Sequence, residues 1–156
     1  MNPVNIFEGC SQIILAQPHG GTFFPTSMNA IHEFGPTLNE NGLKFADTDW
    51  HINRLYDGLI RDATIVEANF SRYFIDVNRD PSGKSLYPGK NSTELCPTID
   101  FEGRPIYQKQ SNNFTGPNNE EISKRCKYFH SVYHFELSKQ ITRIQKEFGR
   151  VLLFDC

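Results

Sequence analysis

Two continuous apolar runs at opposite ends of the chain constrain its fold more than any other feature. One occupies residues 12–16, and the other occupies residues 151–154 at the end of the sequence. An apolar run without polar alternation predicts a strand that is buried on both faces, as strands of parallel sheets are. We therefore expect both runs to lie inside the sheet of an α/β protein.

The residues between these runs predict an alternation of helices and strands. A helical pattern covers about residues 39–61, where Leu43, Trp50, Leu55 and Leu59 recur at near-helical spacing. Residues 63–67 and 73–77 predict two further strands. A long helix is predicted to begin near residue 118 and to end at a C′ glycine, Gly149. Its apolar face comprises Ile122, Cys126, Phe129, Tyr133, Leu137, Ile141, Ile144 and Phe148.

This order predicts one α/β domain over residues 1–156, with a mostly parallel or mixed sheet and flanking helices. Residues 80–118 form a long irregular loop that is rich in Pro, Gly, Asn, Ser and Thr. In such folds the ligand lies beyond the carboxyl ends of the strands. Three segments should meet there: residues 18–21, residues 78–81 and Asp155 with Cys156.

Composition excludes several classes of partner. A net charge of −2 and a pI near 6.2 provide no basic field for nucleic acid or an anionic membrane. No apolar run is long enough to span a membrane, and the N-terminus lacks a signal-peptide pattern. The four cysteines are scattered without a CxxC pair. We therefore expect reduced thiols and a cytoplasmic location.

Residues 71–81 read Ser-Arg-Tyr-Phe-Ile-Asp-Val-Asn-Arg-Asp-Pro and predict an anion clamp. A strand would deliver Asn78 and Arg79 into a loop, where the guanidinium and the amide can both donate to a carboxylate. Arg72 brings a second cation, and two arginines this close repel each other unless an anion joins them. The alternative is a structural salt bridge to Asp76 or Asp80.

Histidines supply candidates for a metal site. His19 follows a buried strand and precedes Gly20 and Gly21, which let the backbone bend and a ligand approach the imidazole. The alternative is a hydrogen-bonded loop residue. Asp47, Asp49 and His51 lie within one turn, which indicates either metal ligands or a helix beginning.

His130 and His134 share a helix face at i, i+4 spacing, without the glutamate of a metalloprotease helix motif. His134 is expected to lean toward the site, and His130 is expected at the surface. A metal-ligand set beside an anion clamp favours metal-assisted hydrolysis of a small carboxylated substrate.

Several motifs, in order from about residue 12 to the last residue, resemble the N-formylglutamate amidohydrolase family. They are Pro18-His19-Gly20-Gly21, Asp47 through Tyr56, Ser71 through Pro81, Leu86-Tyr87-Pro88-Gly89, Phe101 through Tyr107, Tyr133-His134 and Val151 through Asp155. The resemblance implies a zinc-dependent enzyme that splits N-formyl-L-glutamate into formate and glutamate in histidine degradation. It also implies kinship with the zinc carboxypeptidase and aspartoacylase fold, which is phosphorylase/hydrolase-like.

The resemblance also implies roles for individual residues. Asn78 and Arg79 would bind a substrate carboxylate, and Arg72 would polarise the formyl carbonyl or stabilise the oxyanion. His19 would be the first Zn²⁺ ligand. Zinc carboxypeptidases have a Glu three residues after that histidine, whereas this chain has Thr22, so Asp49 is preferred over Asp47 as the acidic ligand.

The family also has a histidine soon after the position of Asp155, and its general base lies later still. This chain ends at Cys156. The expectation is therefore a chain truncated before the third metal ligand and inactive or nearly so by itself. The alternatives are a non-catalytic binder of a small carboxylate such as glutamate, and an amidase for another N-acyl amino acid.

Overall fold

A four-stranded mixed sheet forms the centre of the protein. The computed structural model describes residues 2–26, 35, 37–82, 94–109 and 116–156. The strands are β1 (Val4–Phe7), β2 (Ile13–Gln17), β3 (Thr64–Ala68) and β4 (Leu152–Asp155), in the spatial order β1-β3-β2-β4. β2 is parallel to β3 and β4, whereas β1 is antiparallel to β3. The predicted α/β class with a mixed sheet is confirmed.

The sequence predicts the two central strands, β2 and β3, to within one residue at each end. Ile14 of β2 pairs with Thr64 of β3, and both are fully buried. β1 was not predicted, although the order Val4, Asn5, Ile6 alternates apolar with polar residues. β1 pairs antiparallel with β3 and bonds the backbone groups on the side of β3 that faces away from β2.

The last strand forms as predicted, but the prediction that it is buried on both faces is wrong. Leu152, Leu153 and Phe154 are each more than two-fifths exposed. β4 pairs with β2 along one side, and no strand among the described residues pairs with its other side. The apolar run therefore forms an edge strand within the described part of the chain.

A long helical segment packs on one face of the sheet, as predicted. It comprises α2 (Asn119–Arg125), a π-helical turn (Cys126–His130) and α3 (Ser131–Phe148). The Asn118 side chain caps its start by accepting from the backbone N–H of Glu121 at 2.9 Å. Gly149 ends it in the left-handed conformation with φ of 76°.

This helix and the sheet enclose one apolar core. Its fully or nearly fully buried members include Val4, Ile14, Val66, Ala68, Phe70, Phe74, Phe129, Tyr133 and Ile144. The Phe129 ring meets the rings of Phe70 and Phe74 edge-on, at centroid distances of 5.2 and 4.8 Å. This packing attaches the helix to residues 70–77, which follow β3.

The predicted helix over residues 39–61 is wrong. The segment contains a 3₁₀ turn (Gly42–Lys44) and a one-turn helix, α1 (Ile52–Leu55). Phe45 and His51 adopt left-handed conformations with φ of 47° and 65°, and these interrupt helical hydrogen bonding. The residues expected to form an apolar face, Leu43, Trp50, Leu55 and Leu59, are each more than half exposed.

The strand predicted over residues 73–77 is also wrong. The segment is buried but forms turns, because side chains compete for its backbone groups. Ser71 Oγ accepts from the N–H of Tyr73 at 3.1 Å, and Asp76 Oδ1 accepts from the N–H of Asn78 at 2.9 Å. The N–H of Asp76 instead donates to the carbonyl of Leu95 at 2.8 Å.

A fully buried arginine secures this segment from the helix side. Arg125 forms an ion pair with Glu121, and its NH1 donates to the Phe74 carbonyl at 2.8 Å and to the Tyr107 hydroxyl at 3.0 Å. The Tyr107 hydroxyl donates in turn to the Tyr73 carbonyl at 3.1 Å. Burial raises the pKa of Tyr107 to about 12. The network therefore holds the buried turns that lead to Asn78.

Other predictions can be compared only in part. All four cysteines are free thiols. In the described part of the chain, no helix has the length and apolar character needed to cross a membrane. Residues 86–89 and much of the predicted irregular loop over residues 80–118 lie outside the described residues.

Candidate functional site

His19 lies at the carboxyl end of β2 and contacts two carboxylates. Its Nε2 lies 2.8 Å from Oδ1 of Asp76, and its Nδ1 lies 3.5 Å from Oδ2 of Asp49. The residue is 8% exposed. Asp49 reaches this position because its backbone N–H donates to the His19 carbonyl at 3.1 Å. Both predicted metal-ligand residues therefore lie together.

The glycines after His19 serve close packing rather than an unusual backbone conformation. Neither Gly20 nor Gly21 has a positive φ. A Cβ atom at Gly21 would lie 2.4 Å from the backbone carbon of Asn69 and 2.5 Å from the carbonyl oxygen of Ala68. Gly21 thus allows the loop after β2 to lie against the chain that leaves β3.

Asp76 is the central anion of the site. The sequence indicates it only as a partner in a structural salt bridge, the alternative to an anion clamp. Its side chain is fully buried between His19, Arg72 and Arg79. Burial acts to raise the pKa of its carboxyl, but the hydrogen bond with His19 and the charges of His19 and Arg72 outweigh it. The net result holds the pKa of Asp76 well below its ordinary value of 3.8.

The two arginines of the predicted clamp are joined by this aspartate. Arg72 NH2 donates to Asp76 Oδ2 at 2.8 Å, and Arg79 Nε lies 4.0 Å from the same oxygen. The structural salt bridge that the sequence left open is therefore present for Arg72. The Arg72 guanidinium also lies over the Phe101 ring, 4.8 Å from its centroid.

Asn78 and Arg79 occupy a loop at the carboxyl end of the sheet, as predicted. Asn78 Nδ2 donates to Oδ2 of Asp155 at 3.0 Å, which joins this loop to the end of β4. A cavity of about 570 Å³ lies beside them. Its lining residues are Val77, Asn78, Arg79, Asp80, Pro81, His130, His134 and Asp155.

The two helix histidines face this cavity, and the prediction of His130 as a surface residue is wrong. His130 is 6% exposed, and its Nε2 lies 3.0 Å from the Arg79 carbonyl oxygen. His134 Nε2 lies 2.8 Å from the Val77 carbonyl oxygen. Burial lowers the pKa of His130; the Arg79 carbonyl opposes this effect, and His134 adds to it.

A metal would find two suitable protein ligands here. Two ligand atoms of tetrahedral zinc with bonds of about 2.0–2.1 Å lie roughly 3.3 Å apart. The 3.5 Å between His19 Nδ1 and Asp49 Oδ2 is close to that separation. Asp47 is engaged elsewhere, since its Oδ2 accepts from the N–H of Phe101 at 2.9 Å.

The contact between His19 and Asp76 is also typical of a metal site. A metal-binding histidine commonly donates its other ring N–H to a carboxylate, which sets the tautomer and orients the ring. Here Asp76 is the carboxylate at Nε2 of His19, and the Nδ1 atom faces Asp49. Among the described residues, no group of three His, Cys, Asp or Glu side chains could hold a metal ion. The described site thus provides two ligands.

Two functional candidates escaped the sequence analysis for different reasons. Asp76 lies on the predicted strand 73–77, where its spacing suggests no special role. His130 is expected at the surface, since His134, beside the buried Tyr133, is taken as the histidine that leans toward the site. The i, i+4 pairing of His130 with His134 was the available signal, and the structure places their ring centroids 4.5 Å apart.

Comparison with known proteins identifies the family of this chain. The profile of the N-formylglutamate amidohydrolase family matches residues 11–156. An N-formylglutamate deformylase from Pseudomonas putida is 32% identical over 155 residues, which are 98% of this chain and 54% of that protein. One from Pseudomonas aeruginosa is 33% identical over 150 residues, covering 96% of this chain and 52% of that protein.

A solved structure supports the fold. The N-formylglutamate amidohydrolase from Ralstonia eutropha JMP134 superposes with a TM-score of 0.71 at 22% identity, over 99% of this chain and 57% of that one. The chain therefore spans about half the length of the curated and structural relatives that it matches.

Proposed function

This chain belongs to the N-formylglutamate amidohydrolase family, and from that membership we propose that its site serves the hydrolysis of N-formyl-L-glutamate. Water would add to the formyl carbon, the amide C–N bond would break, and formate and L-glutamate would be released. The observation that carries the proposal is the meeting of His19, Asp49 and the Asn78–Arg79 loop around one buried carboxylate, Asp76.

We propose that Asn78 and Arg79 bind a carboxylate of the substrate. Arg79 has a quarter-exposed side chain at a cavity large enough for a small amino-acid derivative. Charge-assisted hydrogen bonds from a guanidinium to a carboxylate are short and strong. Asn78 is oriented by its bond to Asp155, which leaves its amide at the same edge of the cavity.

Zinc is proposed as the cofactor, with His19 and Asp49 as two of its ligands. When bound, zinc supplies Lewis-acid activation of water and of the formyl carbonyl. Asp76 accepts the Nε2–H of His19 and so keeps the Nδ1 lone pair available toward Asp49. Among the described residues no third His, Cys, Asp or Glu side chain completes a metal-binding group with them, so the proposal assigns only these two ligands.

Arg72 is proposed to stabilise negative charge on the formyl oxygen during the reaction. Its bonds to Asp76 and to the Asp47 carbonyl use two of its five N–H groups. Those bonds and the Phe101 ring hold the guanidinium in one place, so little reorganisation is needed as charge develops.

The decisive experiment combines catalysis with binding. Release of formate from N-formyl-L-glutamate is measured with added zinc and with a chelator, for the parent chain, His19→Ala and Arg79→Met. Calorimetry with zinc and with L-glutamate accompanies it. Loss of zinc binding in His19→Ala and of L-glutamate binding in Arg79→Met would support the proposal, and zinc-dependent formate release would extend it to catalysis by this chain. A chain that binds neither zinc nor L-glutamate would contradict it.

Two other outcomes would redirect the assignment. Tight binding of L-glutamate without zinc and without turnover would support a non-catalytic carboxylate binder, for which the clamp alone suffices. Faster cleavage of N-acetyl or larger N-acyl amino acids than of the formyl compound would support another amidase.

A further inference from the structure

The backbone of the Asn78–Arg79 loop is held from the helix by two imidazoles. His134 Nε2 lies 2.8 Å from the carbonyl oxygen of Val77, and His130 Nε2 lies 3.0 Å from the carbonyl oxygen of Arg79. These two carbonyls flank Asn78 on either side. A carbonyl oxygen only accepts, so each imidazole must carry its proton on Nε2 to make the bond.

The loop needs such partners because it is not part of the sheet. Residues 77–79 form a turn, and the N–H of Arg79 donates to the carbonyl of Asp76 at 3.1 Å. The N–H of Asn78 donates to the Asp76 side chain at 2.9 Å. The carbonyls of Val77 and Arg79 are therefore not bonded within the sheet, and the two histidines supply N–H donors to them.

The π-helical turn sets the direction of the first histidine. One extra residue in the turn Cys126–His130 rotates the helix that follows by about 100° relative to α2, since an α-helix has 3.6 residues per turn. Arg125, at the end of α2, is directed at the Phe74 carbonyl, whereas His130, at the end of the π-helical turn, and His134, in α3, are directed at the loop. The two rings lie 4.5 Å apart, each packed against the other.

From this arrangement we propose that His130 and His134 are positioning residues that fix the clamp loop, and with it Asn78 and Arg79, through Nε2–H bonds to the backbone. They act through the loop and need not touch the substrate. The part of this inference that concerns a carboxylate ligand rests on the proposed function. The part that concerns the loop itself can be tested without any ligand.

The ligand-free test begins with the unmodified chain. Long-range ¹H–¹⁵N NMR correlations at pH 8 report which ring nitrogen carries the proton. Nε2–H tautomers in both rings are expected. An Nδ1–H tautomer in either ring would overturn the assignment for that ring, because its Nε2 could not donate to the carbonyl.

Substitutions at the exposed His134 separate a hydrogen bond from packing. His134→Gln keeps an N–H donor near the position of Nε2, whereas His134→Phe keeps the ring and loses the donor. The amide signals of Asn78 and Arg79 should stay close to those of the parent in His134→Gln and should shift and exchange faster in His134→Phe. Ser138→Phe, one turn further along the same helix, is the control and should leave them unchanged. Parent-like signals in His134→Phe would overturn the proposal.

Titration with L-glutamate then connects the loop to the clamp. The dissociation constant should rise about tenfold in His134→Phe and little in His134→Gln. This is the effect expected when the hydrogen bond to the Val77 carbonyl is lost and that acceptor has no replacement donor. Equal weakening in both variants would indicate packing instead and would contradict the proposal. If the parent does not bind L-glutamate, the proposed function fails while the tautomer and amide measurements still decide the role of the histidines.

Discussion

The Nε2 atom of His19 lies 2.8 Å from the Oδ1 atom of Asp76, although 57 positions separate the two residues in the chain. This contact joins the turn after β2 to the turns after β3. The same carboxylate accepts from Arg72, so one buried anion orients the proposed metal ligand and the proposed oxyanion donor together. The proposed metal half and the proposed substrate half of the site therefore depend on each other.

Replacement of Asp76 by asparagine should damage both halves. Asp76→Asn leaves the buried Arg72 without a charged partner, so we expect a loss of about 3–5 kcal/mol in the free energy of unfolding. Zinc affinity should fall roughly 10- to 100-fold, because the histidine loses its orienting carboxylate. Urea titration and calorimetry measure the two effects. Asp57→Asn, at an exposed aspartate, is the control, and equal stability of the two variants would contradict the assignment.

Stability in acid should depend on Asp76. Its folded pKa lies below the unfolded value of 3.8, so its contribution is fully present above that value. The contribution is lost as pH falls below 3.8 toward the folded pKa, since the unfolded chain then binds the proton more tightly. Urea unfolding between pH 6 and pH 2 should show a steeper loss in the parent than in Asp76→Asn. Parallel curves would show that this carboxylate is not linked to folding.

The two glycines after His19 should respond differently to alanine. Gly21→Ala places a Cβ against backbone atoms of Ala68 and Asn69, which cannot move without disturbing the end of β3. Gly20→Ala meets the Cγ2 atom of the Ile52 side chain at 2.8 Å, and that side chain can rotate. We expect Gly21→Ala to lose about 1–3 kcal/mol of stability and Gly20→Ala to lose less. Thermal unfolding of both variants measures these losses. A larger loss of stability in Gly20→Ala than in Gly21→Ala would be inconsistent with the packing.

A matched pair of variants, Asp49→Asn and Asp47→Asn, tests which aspartate is the proposed acidic metal ligand. Asp49→Asn should weaken zinc binding, because Asp49 Oδ2 faces His19 Nδ1. Asp47→Asn should change it little, since Asp47 accepts from the backbone of Phe101. Calorimetric titration with zinc at neutral pH compares both variants with the parent. Stronger loss in Asp47→Asn would reassign the ligand.

The substrate clamp can be tested at Arg79. Arg79→Met keeps much of the side-chain length and removes the charge, so L-glutamate affinity should fall about tenfold or more, because hydrogen bonds to charged groups contribute roughly 1.5–3 kcal/mol. Arg54→Met, at an exposed arginine of α1, is the control for the loss of one positive charge. Similar affinities in the two variants would remove Arg79 from the clamp.

Local sequence patterns predicted the elements whose signals lie within one segment. The buried runs of β2 and β3, the long helix with its start near residue 118 and its Gly149 end, and the loop that presents Asn78 and Arg79 all follow from residues close together in the chain. Each is signalled by the apolar pattern, capping residues or loop residues of its own segment. Those predictions needed no knowledge of distant contacts.

Predictions failed where tertiary contacts outweighed local pattern. The spacing of Leu43, Trp50, Leu55 and Leu59 is nearly helical, but the left-handed His51 and the bond from Asp49 to the His19 carbonyl shape that segment instead. Alternation over residues 73–77 is typical of a strand, yet the N–H of Asp76 donates to the distant Leu95 carbonyl and the Phe74 carbonyl accepts from Arg125 of the helix, so this segment does not join the sheet.

The sequence by itself determined the α/β class, the family and the residue types of the candidate site: an imidazole, an acid near it, and an Asn-Arg pair. Only the tertiary structure decided how they are connected. Asp76 joins His19 to Arg72, Asp49 rather than Asp47 faces the imidazole, and His130 turns inward to the loop. The physical reason is that buried charges and carbonyls must find partners, and those partners come from distant segments that only the folded chain brings together.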